Sequence, residues 1–270
     1  MRFEISFTIG AFDDAADAFS LATSYLKKPL TVIKSPISFT QGVWISDYND
    51  VQKTLSSNKD DCFSLHDGSK ISDLDVVGNV NAIVYWRDEG FSTDVIAMEI
   101  LDDSFIDLSA FIEAAAIRKF NLGMIYDAHK ANWQNEQIIS NFEAYGKSLE
   151  GRRLISHPYW TPKVGFTVDI RNNPGRHVQT HNMRLMAAPE MWFGPGAWGY
   201  FEESDVLAFD KALKKEVVAP GTIHIKLFDF KEWDYEARPI LEIQSAFRQC
   251  TDMDAIEEKL NAQLPFPPVY

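Results

Sequence analysis

Phe3, Ile5, Phe7 and Ile9 alternate with other residues until Gly10, the pattern of a half-buried strand. The period then changes. Phe12, Ala15, Phe19, Ala22 and Leu26 share one face at helical spacing, with Asp13, Asp14 and Asp17 gathered where acids complement the helix dipole, and Pro29 ends the run. Short strands are expected around residues 30–33 and 43–46, and a helix near 50–55. Residues 56–75 carry almost no pattern and read as a long polar loop. Two strands, 81–86 and 95–101, are joined by Asp88-Glu89-Gly90 as a hairpin. Asp107 then caps a helix that turns Leu108, Phe111, Ile112 and Ala115 inward.

The second half continues in this style without a detectable repeat. Ile138, Phe142, Tyr145 and Leu149 keep helical spacing as far as Gly151, and Val164, Phe166, Val168 and Ile170 alternate. Residues 172–175, Asn-Asn-Pro-Gly, form a turn, with 181–186 as the partner strand beyond it. Ser204 and Asp205 open a helix containing Val206, Phe209 and Leu213, and Ile223, Ile225 and Leu227 alternate again. Thr251 and Asp254 resemble a capping box ahead of a last helix with Met253, Ile256 and Leu260. The prolines of residues 264–268 force an extended tail. Alternating strands have one polar face, which favours antiparallel pairing with helices on the other side. The expected class is α+β: mainly antiparallel sheet with helices packed on one face. Two related subdomains, 1–125 and 126–270, meet near residues 119–130.

Charge sharpens this picture. Residues 60–113 hold thirteen acids against Lys70 and Arg87, net −11 in a chain of net −13. Such a surface repels nucleic acid and anionic membrane and attracts basic partners. At 270 residues, 46% hydrophobic and 13% aromatic, the chain can bury a sizeable core. No apolar run approaches the ~20 residues of a membrane helix. Glu4 and the acids after it do not fit a secretory leader, so the cytoplasm is the expected compartment. Cys62 and Cys250 lie far apart and are expected as reduced thiols.

Candidate chemistry is sparse. His177 and His181 are spaced for a shared metal on a helix, but they follow a turn and run into a strand, where they lie too far apart to chelate one ion easily. The adjacent acids Asp60-Asp61, Asp102-Asp103 and Glu202-Glu203 point apart along the chain and read as turns and caps rather than as a glycosidase pair. Neighbouring acids raise the pKa of Cys62, the reverse of activation. No nucleophile elbow, phosphate loop or dinucleotide fingerprint is present. No catalytic residue, metal or cofactor is expected. Residues 191–201, Met-Trp-Phe-Gly-Pro-Gly-Ala-Trp-Gly-Tyr-Phe, read either as an exposed interface anchor or as a tight turn whose aromatics cap the core. The second is favoured, with the glycines supplying positive φ.

The first strand, the Met-Trp-Phe-Gly block at 191–194 with its Ser-Asp helix, and Gln-x-x-Phe-Arg at 244–248 before a short helix resemble immunity proteins of bacterial polymorphic-toxin and type VI secretion systems. The group in question is paired with restriction-endonuclease-fold toxins. The resemblance implies a cytosolic antidote without catalysis, whose partner is a cognate toxin. Nuclease clefts are basic because they hold phosphates, so acids can occupy them as a substrate mimic. The expected contact residues are Asp60, Asp61, Asp67, Asp73 and Asp75 on the loop and Asp88, Glu89, Asp102 and Asp103 at nearby turns. Two other functions stand beside it. One is a small-molecule or carbohydrate enzyme using acids and a histidine such as His224; the other is an adaptor of the same secretion machinery. A buried histidine–carboxylate pair lining a pocket would favour the enzyme. His224 alternates with Ile223 and Ile225 and is expected to be exposed.

Overall fold

A computed structural model describes residues 1–34, 43–45, 47–58, 62–67, 81–101, 104–156, 165–229 and 237–264. The alternating start forms β1 (Arg2–Thr8), and the helix after it is α1 (Ala15–Ser24), with the Asp14 carboxylate accepting from the Asp17 amide at 2.9 Å. Then come β2 (Val32–Lys34), β3 (Val43–Trp44), α2 (Tyr48–Asn58) and β4 (Cys62–His66). The last of these lies inside the stretch expected to be loop. Phe63 and Leu65 are buried there, and this short alternation was hidden among polar neighbours. The hairpin is β5 (Ala82–Asp88) and β6 (Thr93–Glu99), followed by α3 (Leu108–Ile117), which Asp107 caps through the Ala110 amide at 3.2 Å.

Next come β7 (Leu122–Tyr126), α4 (Ala128–Asn135), α5 (Ile139–Ala144), β8 (Leu154–Ser156) and β9 (Phe166–Val168). α5 stops well short of Gly151, because Gly146 turns the chain at φ +63° and leaves Tyr145 exposed. β10 (Val178–Thr180) pairs with β11 (Met183–Leu185) and β8 with β9, so residues 181–186 do not partner the 166–168 strand as expected. The chain continues through β12 (Glu190–Phe193), α6 (Glu203–Ala208), β13 (Lys214–Ala219), β14 (Thr222–Lys226), α7 (Arg238–Cys250) and α8 (Met253–Asn261). Leu213 lies beyond α6 and is exposed. The expected capping box does not form. Thr251 Oγ1 donates instead to the Phe247 carbonyl, and Asp254 accepts from Arg176 and Arg248. The expected tail falls outside the described residues beyond Leu264.

Among the described residues the α+β class is realised as a ten-stranded sheet in the order β13-β14-β12-β7-β1-β6-β5-β4-β2-β3, with every neighbouring pair antiparallel. It runs without a break across residue 125, because β7 bonds to β1 on one side and to β12 on the other. Alternation divides the side chains between two cores. Phe3, Ile5 and Phe7 face α1, α2 and α3, while Leu122, Met124, Met191, Phe193, Ile223 and Ile225 face α6, α7 and α8. Helices thus cover one face of the N-terminal half and the opposite face of the C-terminal half. A charge network, buried at Arg176, Arg248 and Glu257 and open to solvent at Asp254, ties the last two helices to the chain before β10. Glu257 accepts from Arg176 and Arg248 at 2.8 and 2.5 Å, and Asp254 completes the set.

Residues 191–201 line the core rather than projecting from it. Met191, Phe193 and Phe201 fill the second core, and Trp192 the first. The reason for the glycines differs from the expected one, since neither Gly194 nor Gly196 has positive φ. A Cβ on Gly194 would sit 2.3 Å from the Phe120 carbonyl oxygen, and one on Gly196 would sit 2.2 Å from Asn121 Oδ1. Glycine is required here for close approach to the chain entering β7.

Candidate functional site

Of the nine expected contact residues, Asp67, Asp88 and Glu89 lie among the described residues. Asp60, Asp61, Asp73, Asp75, Asp102 and Asp103 lie outside the described residues. Asp67 closes the β4–β5 connection, accepting from the Asn81 amide at 2.9 Å and from its side chain at 2.7 Å. Asp88 accepts from the Phe91 amide at 3.2 Å across the hairpin turn. Glu89, at the tip, is exposed. Other acids of the window hold the fold together. Asp94 is fully buried and meets Arg87, the Tyr85 hydroxyl and the Gly10 amide, and Glu99 pairs with Arg2 at 3.1 Å. Strand alternation places these two toward neighbours, where composition alone suggested a uniform charged face.

The two histidines expected to be weak metal candidates part company. His177 precedes β10 and lies beside Glu4, its Nε2 3.4 Å from Glu4 Oε2, while His181 occupies the β10–β11 turn. Burial first, and then Arg184, pushes His177 down to about 3, so it is neutral at pH 7. The cationic partners of Glu4 are therefore Arg2 at 2.7 Å and Arg184 at 3.0 Å. Burial acts to raise the Glu4 carboxyl, but attraction to Arg184 and its other neighbours outweighs it and leaves the group at about 2. Among the described residues, no group of three or more His, Cys, Asp or Glu side chains is placed to hold a metal ion. Cys250 is a free thiol. No helix among the described residues is long and apolar enough to cross a membrane.

A second constellation was not foreseen. β12, β14 and β13 are adjacent, and their register sets Trp192 opposite His224 and His224 opposite Glu216. Directly opposed side chains lie close enough to touch, and long diagonal ones still reach. The indole and imidazole accordingly stack, with centroids 4.7 Å apart and 14° between planes. His224 Nδ1 lies 3.0 Å from Glu216 Oε1, and its Nε2 lies 2.7 Å from Glu190 Oε1. A neutral imidazole supplies one N–H, so one extra proton is needed to satisfy both contacts. Lys214 Nζ reaches the same Glu216 oxygen at 2.5 Å. The hydrogen bonds from Lys214 and then from His224 hold the Glu216 carboxyl below its ordinary range.

This cluster floors a cavity of about 280 Å³, whose far wall is α3 with Leu108, Ser109, Ile112 and Glu113. His224 is 6% exposed, not exposed as expected. It does point away from Ile223 and Ile225, but α3, which comes from the N-terminal half, covers that face. The hairpin that carries it was legible in Pro220-Gly221 between two runs of strand formers, and Gly221 takes φ +67°. Recognising β12 inside the aromatic block was the missing step.

No protein-family model matches the chain, and no curated protein and no solved structure matches it either.

Proposed function

We propose that this chain is an immunity protein that binds and neutralises a cognate secreted toxin with a basic active-site cleft, a nuclease. The observation that carries the reading is the charge distribution: net −11 within residues 60–113 of a chain of net −13. A strongly acidic protein captures a basic partner by long-range steering, and its carboxylates pair with the arginines and lysines of a phosphate-binding cleft. Among the described residues, the exposed acids of this window are Asp67, Glu89 at the hairpin tip, Asp107 before α3 and Glu113 on α3. Asp67 and Asp88, engaged with their own backbone, act as supports for that surface. The test is co-expression with the product of the adjacent gene. Growth rescue together with a stoichiometric complex supports the antidote, and rescue that is lost on charge reversal at Glu89 and the neighbouring Asp residues supports the acidic contact. Absence of both rescue and complex overturns it. Complex formation without neutralisation points to an adaptor.

One observation favours a second reading, an enzyme acting on a small molecule or carbohydrate. His224 is held between two carboxylates in a cavity. Turnover that is lost in His224→Gln would establish it, and a chain that neutralises a toxin stoichiometrically has no need of it.

A further inference from the structure

We propose that the cavity between α3 and the β12–β14–β13 edge is a receptor for a guanidinium group, presented as an arginine side chain by a protein partner. The inference rests on the antidote reading only for the source of that arginine; the chemistry of the cavity stands by itself.

Size comes first. About 280 Å³ lies at the lower end of small-ligand pockets, room for one long side chain but not for a helix or a nucleic-acid strand. Charge comes second. Glu113, Glu190 and Glu216 line the cavity against Lys214, whose ammonium is already committed to Glu216, and the one extra proton that His224 shares with its two carboxylates. Lys226, further along the same sheet face, is engaged by Asp229 at 3.5 Å. The excess is negative, which disfavours phosphates and carboxylates as occupants. Preorganisation is the third point. His224 is buried, stacked on Trp192 and bonded on both ring nitrogens, so it fixes Glu190 and Glu216 through their Oε1 atoms. Among the described residues neither Oε2 has a hydrogen-bond partner. Unpaired oxygens on fixed carboxylates suit a planar, multiply donating fork better than a point charge. The apolar wall of Leu108, Ile112 and Val218 suits the methylene stem that an arginine carries behind its head.

The experiment titrates the full chain with arginine amide, using citrulline amide as the neutral isostere. The readout is the Trp192 indole N–H resonance, assigned through Trp192→Phe. Arginine amide is expected to shift it saturably, with Kd of about 1 mM or tighter, and citrulline amide to leave it in place. The pair Glu190→Gln and Glu216→Gln is expected to weaken the response about tenfold or more. Glu113→Gln, on an exposed helix position, provides a smaller loss that remains readable if the double variant fails to fold. Equal responses to both amides, or unchanged binding in the Glu→Gln variants, overturn the proposal. The source is tested by the same variants in the toxin complex, which they are expected to weaken. A complex that ignores them while arginine amide still binds would overturn the partner side chain in favour of a free small cation. No titration with neutralisation intact sinks the cavity alone; titration without neutralisation sinks the antidote reading alone.

Discussion

Glu4 and His177 show how a single strand position can be set against its own residue type. Glu4 is nearly fully buried on β1, yet Arg2 and Arg184 keep it ionised, while burial and Arg184 keep His177 neutral. Both shifts run in the acid-sensitive direction. The His177 pKa falls from 6.5 to about 3, so the unfolded chain takes up that proton first; the contribution is whole above pH 6.5 and is lost as pH falls toward 3. The Glu4 pKa falls from 4.5 to about 2, so its contribution is lost over that lower window. Thermal unfolding across pH is therefore expected to show stability declining below pH 6.5 and more steeply below 4.5. His177→Gln should flatten the upper window, removing roughly 2 kcal/mol of the decline between those pH values. An unchanged slope in the variant would show that other groups carry it.

At the scale of elements, β12 and the turn after it depend on how closely two backbones meet. Gly194 lies against the Phe120 carbonyl, a backbone atom that cannot swing aside, whereas a Cβ on Gly199 would meet nothing within 4 Å. Gly194→Ala is expected to cost about 2–3 kcal/mol by overpacking, and Gly199→Ala to change stability by no more than about 0.5 kcal/mol. Urea midpoints of the two variants check the contrast. A tolerated Gly194→Ala would mean that the β7–β12 junction yields. The same junction explains why the helix ends and the strict alternators were legible while other elements were not. Asp107 announces its helix by local capping, the acids at 13, 14 and 17 announce α1 by charge, and β1 announces itself by alternation. β7 and β12 are apolar on both faces, at Leu122, Met124 and Ile125 and again at Met191, Trp192 and Phe193, so no period marked them. β4 was too short to stand out.

For the whole molecule, the continuous sheet decides how the two halves behave. β7 bonds to both, and Trp192 from β12 joins the core built by the N-terminal helices. Urea unfolding followed by far-ultraviolet circular dichroism and by tryptophan fluorescence is expected to give coincident midpoints, as a single cooperative unit requires. Separate midpoints would show that residues 1–125 and 126–270 open independently. The cavity belongs to this scale too. Its floor comes from strands of the second half and its wall from α3 of the first, so it exists only while both are docked.

The sequence by itself determined the α+β class, the first strand and helix with the acids at its start, the hairpin, the cap at Asp107, and the concentration of acid in residues 60–113. All of these are local properties, written in period, cap chemistry or count. Only the tertiary structure decided that Asp94 and Glu99 serve the fold while Glu89 stays open. The same is true of His224, which lies beneath α3 between Glu190 and Glu216. Those outcomes depend on strand order and on which helix covers which face. Neighbours in space that are 34 and 8 residues apart along the chain leave no mark on the pattern of either segment.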